Sequence, residues 1–348
     1  MLYGCGMSVN SSSCNCHTLV TVVIPAYNAE KTIDATLVSV RSQSHRDLEI
    51  LVVDDGSTDR TTAIVARHAA LDARIRLIRQ ANGGVARARN EGIAQARGAF
   101  VAPVDADDLC SPDRIAKQLV AIEAAGADAA LAYTWSAQID ERGIIIVADW
   151  KPAHEGRVYE ALCTMNFIGN GSATLMRTAA VREVGGYDAS LRDRGAQGCE
   201  DWALYLAISR KYNFALVPEF LTGYRQASDN MSSNHRRMYK SFLLVARDHL
   251  RRDAGSAALL REANVNVLSW LLSLALRDRK FLTAAEFAFS LLMRSPIAVV
   301  RSFRHYRVVY GGFKGHGRNK DRKLPTSPLI GQFFKVGAAD TCSIEPGS

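Results

Sequence analysis

Three carboxylates fall within four residues at Asp105-Ala106-Asp107-Asp108, directly after the apolar run 99–104. A short β-rich run that ends this way places negative charge at a strand's C-terminal edge, where open α/β sheets bind their ligands. On an extended chain Asp105 and Asp107 project to the same side. Two like charges that close are tolerable when a divalent cation sits between them and a phosphate. A polar loop ahead of a helix N-cap at Ser111-Pro112-Asp113 is the plainer account, and the motif alone leaves both open. Two further acid groups stand elsewhere: Asp54-Asp55 closes the run 48–53, and Glu200-Asp201-Trp202 precedes Ala203, Leu204, Leu206, Ala207 and Ile208 at helical spacing. An acid pair at a helix start is explained by dipole complementarity alone, worth about 0.3–1 kcal/mol. Nothing in that pair by itself demands catalysis.

The elements around these acids follow a regular pattern. The β-branched run 19–25 reads as a buried strand that Pro25 ends. Ile33, Leu37 and Val40 mark a helix within 29–42, and 48–53 is a second strand. Gly56 permits a tight turn after it, and Ser57 or Thr58 can cap a helix reaching Ala70. A third strand at 74–79, a helix at 85–96 after Gly83-Gly84, and the strand into Asp105 complete β-α-β-α-β-α-β. Such alternation predicts an α/β, Rossmann-like, mostly parallel sheet with helices on both faces. Two strand ends carrying acids then line one crevice. The G-x-G-x-x-G dinucleotide fingerprint is missing after the first strand, where Pro25-Ala26-Tyr27-Asn28 stands, so hydride transfer is disfavoured. Strands are expected at 128–135, 143–147 and 169–176, with helices from Thr178 and from Glu200 and a glycine C-cap at Gly185-Gly186. Segments 237–251, 255–278 and 281–294 read as helices.

The 348 residues are 48% apolar, enough for one large α/β domain with an appendage, or for two domains. No window reaches the roughly 18 uninterrupted apolar residues that span a bilayer; the run 282–300 is broken by Glu286, Arg294 and Pro296. Residues 1–18 lack a basic region followed by an apolar one, and are expected to be a disordered tail without a signal peptide. Seven cysteines, mostly scattered singly, suit a reducing compartment, and Cys14, Cys16 and His17 lack a second ligand pair at zinc spacing. The formal charge of +8 is concentrated: residues 301–323 hold eight Lys/Arg against one Asp. The remainder is close to neutral, so the catalytic part is not a polyanion binder and no nucleic acid partner is expected.

Four stretches in this order, Val23-Ile24-Pro25-Ala26-Tyr27-Asn28, Val53-Asp54-Asp55-Gly56-Ser57-Thr58-Asp59, Asp105-Ala106-Asp107-Asp108 and Glu200-Asp201-Trp202, together resemble the family 2 glycosyltransferases. These are inverting enzymes of GT-A fold that use a nucleotide-diphospho-sugar. The resemblance covers about residues 19–226, leaving a helical C-terminal region at 227–310 and a basic, flexible tail at 311–348. It implies that Pro25, Ala26 and Tyr27 pack against the nucleotide base, with the Tyr27 ring suited to stacking. It implies that Asp55 accepts from a uracil ring N–H, which favours UDP, and that Asp105 holds the ribose or the metal's water shell. Asp107 would bind Mg2+ or Mn2+, whose charge assists the departing UDP. Asp108 is as much a structural candidate as a ligand. Asp201 matches the base that takes the acceptor hydroxyl's proton. Glu200 would orient the acceptor or support the loop, Trp202 would floor a sugar, and Tyr224-Arg225 sits where many relatives place a residue that closes over the diphosphate, with Arg225 assigned to acceptor binding. Arg89, beside Asn90, is a donor contact or a surface arginine.

The expected activity is transfer of a sugar from a UDP-sugar to a saccharide or lipid-linked acceptor in surface polysaccharide or glycolipid biosynthesis. The Q-x-x-R-W motif of processive synthases is absent, which points to one sugar per encounter. A sugar nucleotidyltransferase is the alternative enzyme, but its Gly-rich, basic loop has no counterpart at 25–30. A non-catalytic membrane-docking module is the alternative from another class. The expected location is the cytoplasm, with helices 255–310 and the basic run making peripheral contact with an anionic leaflet, about 1 kcal/mol per Lys or Arg.

Overall fold

The structure is a computed structural model that describes residues 18–309 except Gln197 and 227–233, with backbone alone for 304–309. The expectations for the N-terminal tail, Cys14, Cys16, His17 and residues 311–348 lie outside the described residues. Strands β1 (Val20–Ala26), β2 (Leu48–Asp54), β3 (Ile75–Arg79) and β4 (Phe100–Pro103) pair in parallel in the order β3-β2-β1-β4. Val22, Val23, Ile24 and the whole of β2 are buried, as the uninterrupted apolar runs require of strands covered on both faces. Helices α1 (Ile33–Arg41), α2 (Thr61–Leu71) and α3 (Val85–Gln95) make the crossovers. α3 approaches β1 so closely that a Cβ on Gly92 would stand 2.3 Å from Val23 Cγ1.

Pro25 does not end its strand; it pairs with Val53, and Ala26 follows it. The reason is directional. The Val23 carbonyl accepts from Val104 N and the Ala26 carbonyl from Asp55 N. Alternation along the strand therefore turns the Pro25 nitrogen toward β4, which has already ended at Pro103, so no ladder donor is lost.

Beyond β4 the sheet becomes mixed. Strand β5 (Leu109–Cys110) and helix α4 (Arg114–Ala124) lead to β6 (Ala129–Ile139) and the short β7 (Ile145–Val147). Helix α5 (Tyr159–Thr164) and a 3-10 turn at Gly171–Ala173 precede β8 (Thr174–Arg177), which enters antiparallel between β4 and β6. Asn170 caps that turn by accepting from Ala173 N, so the strand starts five residues later than expected. Helix α6 (Thr178–Glu183) ends at Gly185, φ 87°, and the Gly186 N–H returns to Val181 O as a glycine C-cap does. After α7 (Ser190–Asp193) and α8 (Glu200–Ser209) comes β9 (Asn213–Arg225), parallel to β6 and absent from the sequence reading. Its register jumps from Val217 opposite Thr134 to Phe220 opposite Trp135, so Pro218 and Glu219 bulge out of the ladder.

Helices α9 (His235–Arg252), α10 (Ala257–Arg277), α11 (Phe281–Leu292) and α12 (Pro296–Val309) follow. They are not a separate appendage. Phe242, Val245 and Ala246 of α9 and Leu260 and Ala263 of α10 share one core with Leu131, Trp202, Tyr205 and Phe214 of the sheet domain. Among the described residues no helix is long and apolar enough to cross a membrane.

Candidate active site

The site begins with the two loops that leave β1 and β2. Asn28, at φ 48°, donates its N–H to Ser57 Oγ and accepts from Thr58 N through its side-chain oxygen. Ser57 and Thr58 thus staple the loops together and do not cap α2; its N-cap is Arg60, and Asp59 just before it accepts from Thr61 N. Tyr27 projects beside this staple, 54% exposed, with its ring unclaimed by the core. Asp55 is buried, and three donors hold its carboxylate at 2.7 Å: Gln80 Nε2, Gly83 N and Gly84 N. Gly84, at φ 89°, stands at the N-cap of α3 in a conformation that a side chain would strain.

Asp105, Asp107 and Asp108 follow β4 as expected, and the loop is pinned from three sides. Thr36 Oγ1 donates toward the Ala106 and Asp108 carbonyls, both at 3.0 Å. Ser172 Oγ accepts from Asp105 N at 2.9 Å. Arg225 Nε donates to the Asp107 carbonyl at 2.7 Å, while its Nη1 reaches the carbonyls of Asp140 and Glu141. Asp108 is fully buried and accepts from Arg225 N at 3.0 Å. Burial, then the charges of Asp107 and Asp105, push its carboxyl well above the usual range. Asp108 is therefore a structural link from this loop to β9.

The central connection is Arg89. Its Nη2 meets Asp105 Oδ1 at 2.6 Å and its Nη1 meets Glu200 Oε1 at 3.2 Å, so one guanidinium ties the loop after β4 to the start of α8. Its carbon lies 5.1 Å from the centre of the Tyr187 ring. Asn90, next on α3, clamps the Tyr187 backbone through both its N–H and its carbonyl. Gly171 lies against the guanidinium, where a Cβ would come within 3.0 Å of Nη2. Burial works against the Arg89 charge, yet Asp105, Tyr187 and Glu200 hold its proton more tightly than usual.

Asp201 opens α8 next to Glu200, partly exposed, and accepts one hydrogen bond, from Trp202 N at 2.7 Å. Burial and then the charge of Glu200 push its carboxyl up to about 7, against the pull of Arg89. Glu200 is buried and accepts from Gly198 N at 2.9 Å as well as from Arg89.

Three sequence assignments are corrected by these positions. Arg89 is 2% exposed and spends its fork on carboxylates, so it positions the site and offers no surface to a donor. Trp202 is 3% exposed, donates its indole N–H to Leu162 O and stacks on Phe242. It anchors α8 in the core and cannot floor a sugar. Arg225 is likewise buried, and its donors go to backbone carbonyls that shape the loop of Asp107. Of Glu200's two expected roles the structure favours loop support. Tyr187, Ser172 and Gln80 were missed, because an aromatic after two glycines, a serine and a glutamine carry no signal until the fold brings them to Arg89, Asp105 and Asp55.

Asp107 is partly exposed, and Asp105 keeps one oxygen clear of Arg89. No third His, Cys, Asp or Glu joins them to form a metal cluster among the described residues. Two hard carboxylates suit Mg2+ or Mn2+ when phosphates and water supply the remaining ligands. The residues present fit such an ion.

The chain matches the family model described as Glycosyl transferase family 2 over residues 21–185. It is 31% identical over 231 residues to an uncharacterized glycosyltransferase of Haemophilus influenzae, covering 64% of this chain and 70% of that one. It is 46% identical over 93 residues to the uncharacterized glycosyltransferase EpsJ of Bacillus subtilis, a match spanning only 27% of each chain. In structure it is similar to residues 1–349 of TarS from S. aureus in complex with UDP-GlcNAc. The TM-score is 0.57 at 18% identity, over 85% of this chain and 91% of that one.

Proposed function

The chain belongs to glycosyl transferase family 2, and on that premise we propose that it transfers a sugar from a UDP-sugar to a hydroxyl of a saccharide or lipid-linked acceptor, inverting the anomeric carbon, in the building of a polysaccharide or glycolipid. The observation that carries this reading is Asp201: a carboxyl pushed up to about 7, partly exposed, at the acid-lined edge of the sheet. A base poised near neutral pH takes the acceptor proton most efficiently. As the acceptor O–H proton passes to Asp201, the oxygen bonds to the anomeric carbon and the bond from that carbon to the phosphate oxygen breaks. The sugar ring passes through an oxocarbenium-like state, and no enzyme nucleophile takes part. Arg89 fixes Glu200 beside the base and Asp105 beside the donor, so both reactants meet in one geometry.

On this reading Tyr27 stacks on the base, Pro25 and Ala26 supply the strand-end backbone beneath it, and Asp55 uses its remaining acceptor capacity on the uracil N–H. Asp107, with Asp105, would hold Mg2+ or Mn2+ against the diphosphate. The ion, when bound, supplies charge neutralisation to the leaving group. The UDP donor is supported by the UDP-GlcNAc that TarS, similar in fold, holds in its complex and by the Asp55 acceptor. We place the reaction in the cytoplasm, in keeping with the free cysteines Cys110, Cys163 and Cys199.

Calorimetric titration of UDP into the native chain and Asp107→Ala, with and without Mn2+, tests the donor site. Metal-dependent binding that is lost in the variant is the expected result. No UDP binding under either condition would overturn the UDP assignment and send the test to GDP and dTDP.

A further inference from the structure

Helices α11 and α12 are buried on one side only. Phe287 and Leu291 pack against Leu268, Leu271 and Leu272 of α10. On the other side Phe281, Leu282, Phe289, Met293, Ile297 and Val300 stand between 66% and 81% exposed. Large apolar side chains at that exposure are ordinary when scattered singly; six within twenty residues are not. Helical spacing gathers them. Residues 281, 285, 289 and 292 fall on one face of α11, and 297 and 300 fall three apart on α12.

The charges around this face are one-sided. Exposed Arg277, Arg279, Lys280, Arg294 and Arg301 border it. Of the two acids on the same stretch, Asp278 already pairs with Arg277 at 2.8 Å and Glu286 with Arg236 at 2.6 Å. The sequence continues past Arg301 with seven more Lys/Arg and one Asp up to Lys323.

We propose that the outer face of α11 and α12 is a docking surface for an anionic lipid bilayer, lying in the interface with the apolar side chains below the headgroups and the basic residues among them. A second copy of the chain is the poorer occupant, because a two-fold contact through this face would set its basic rim against itself. A bilayer with anionic headgroups satisfies both halves of the surface: apolar area is removed from water, and each Lys or Arg near the surface adds attraction. The surface shares no residue with the site of Asp105 and Asp201, so the inference does not depend on the proposed reaction. A transferase docked this way would meet a lipid-carried acceptor confined to two dimensions.

The test is co-sedimentation of the full chain with phosphatidylcholine vesicles, with and without phosphatidylglycerol, at low and high salt. The native chain is expected to bind only the anionic vesicles and to be released by salt. The triple variant Phe289→Asp, Ile297→Asp, Val300→Asp alters exposed positions and should fold; its binding should fall by about a hundredfold. Its circular dichroism and UDP titration should match those of the native chain, which separates this result from failure of the donor site. Equal binding by variant and native chain would overturn the proposal. So would a stable dimer in light scattering that the variant abolishes, with no vesicle binding by either.

Discussion

Asp55 and Asp201 are both carboxylates near α3, and they are built on opposite principles. Asp55 receives three donors at 2.7 Å from a side chain and two glycine N–H groups. Asp201 receives one, and has Glu200 as its neighbour. The three donors fix the orientation of the Asp55 carboxylate; Asp201, with one donor and a like charge beside it, is ready to take a proton. On the proposed reading, recognition falls to Asp55 and proton transfer to Asp201, and the two differ in how many N–H groups the fold aims at each. Arg89 stands between these regimes, neutralising Asp105 and Glu200 while leaving Asp201 without a direct bond.

The contrast can be broken most sharply at Asp201. Asp201→Asn should lower kcat about a thousandfold while leaving UDP binding by calorimetry intact. In the native enzyme kcat/KM should rise with pH through about 7, since only the ionised base works. The sign for stability is the reverse. A carboxyl whose folded pKa is raised ionises first in the unfolded chain, so stability is lost as pH climbs from the usual carboxylate range through about 7. Thermal unfolding should therefore find Asp201→Asn more stable than the native chain at pH 8, with the gap closing in acid.

A smaller effect is expected at Arg89. Arg89→Met should cost about a hundredfold in kcat, since it releases the ends of both acid loops. Because Arg89 holds the Asp201 carboxyl down, the acid limb of the rate profile should move to higher pH. Arg89→Lys should return the limb toward its native position without restoring the rate, since an ammonium cannot fork between two carboxylates. An unmoved limb in Arg89→Met would reduce Arg89 to a packing role. The smallest change is predicted for Asp55→Ala: about tenfold weaker UDP binding in titration, and about 1–3 kcal/mol less stability in denaturant unfolding, because Gln80, Gly83 and Gly84 lose their acceptor. If Asp55→Ala instead cost as much rate as Asp201→Asn, the division between recognition and proton transfer would fail.

Much of the first half was legible in the chain. Val20–Ala26, Leu48–Asp54, Ile75–Arg79 and Phe100–Pro103 are apolar runs separated by helical spacing, and local pattern suffices to find buried parallel strands. The acids at their ends followed, because the ends of parallel strands share one edge. β9 went unassigned; it carries Pro218 and Gly223, and its ladder holds together because the bulge opposite Thr134 and Trp135 absorbs Pro218. The roles of Arg225 and Trp202 were misread for a related cause: residue type announces that a guanidinium or an indole can bind, and burial decides what it binds.

The residues by themselves determined which groups can do chemistry here and in what order they follow the strands, since spacing sets the face on which each carboxylate emerges. Only the tertiary structure decided that Arg89 bridges Asp105 and Glu200, residues 16 and 111 positions away in the chain. It also decided that Asp201 stands beside the buried Glu200 with a hydrogen bond from Trp202 N and none from Arg89. Those outcomes depend on burial and on partners brought from distant elements, and electrostatic strength depends on both, so no local pattern contains them.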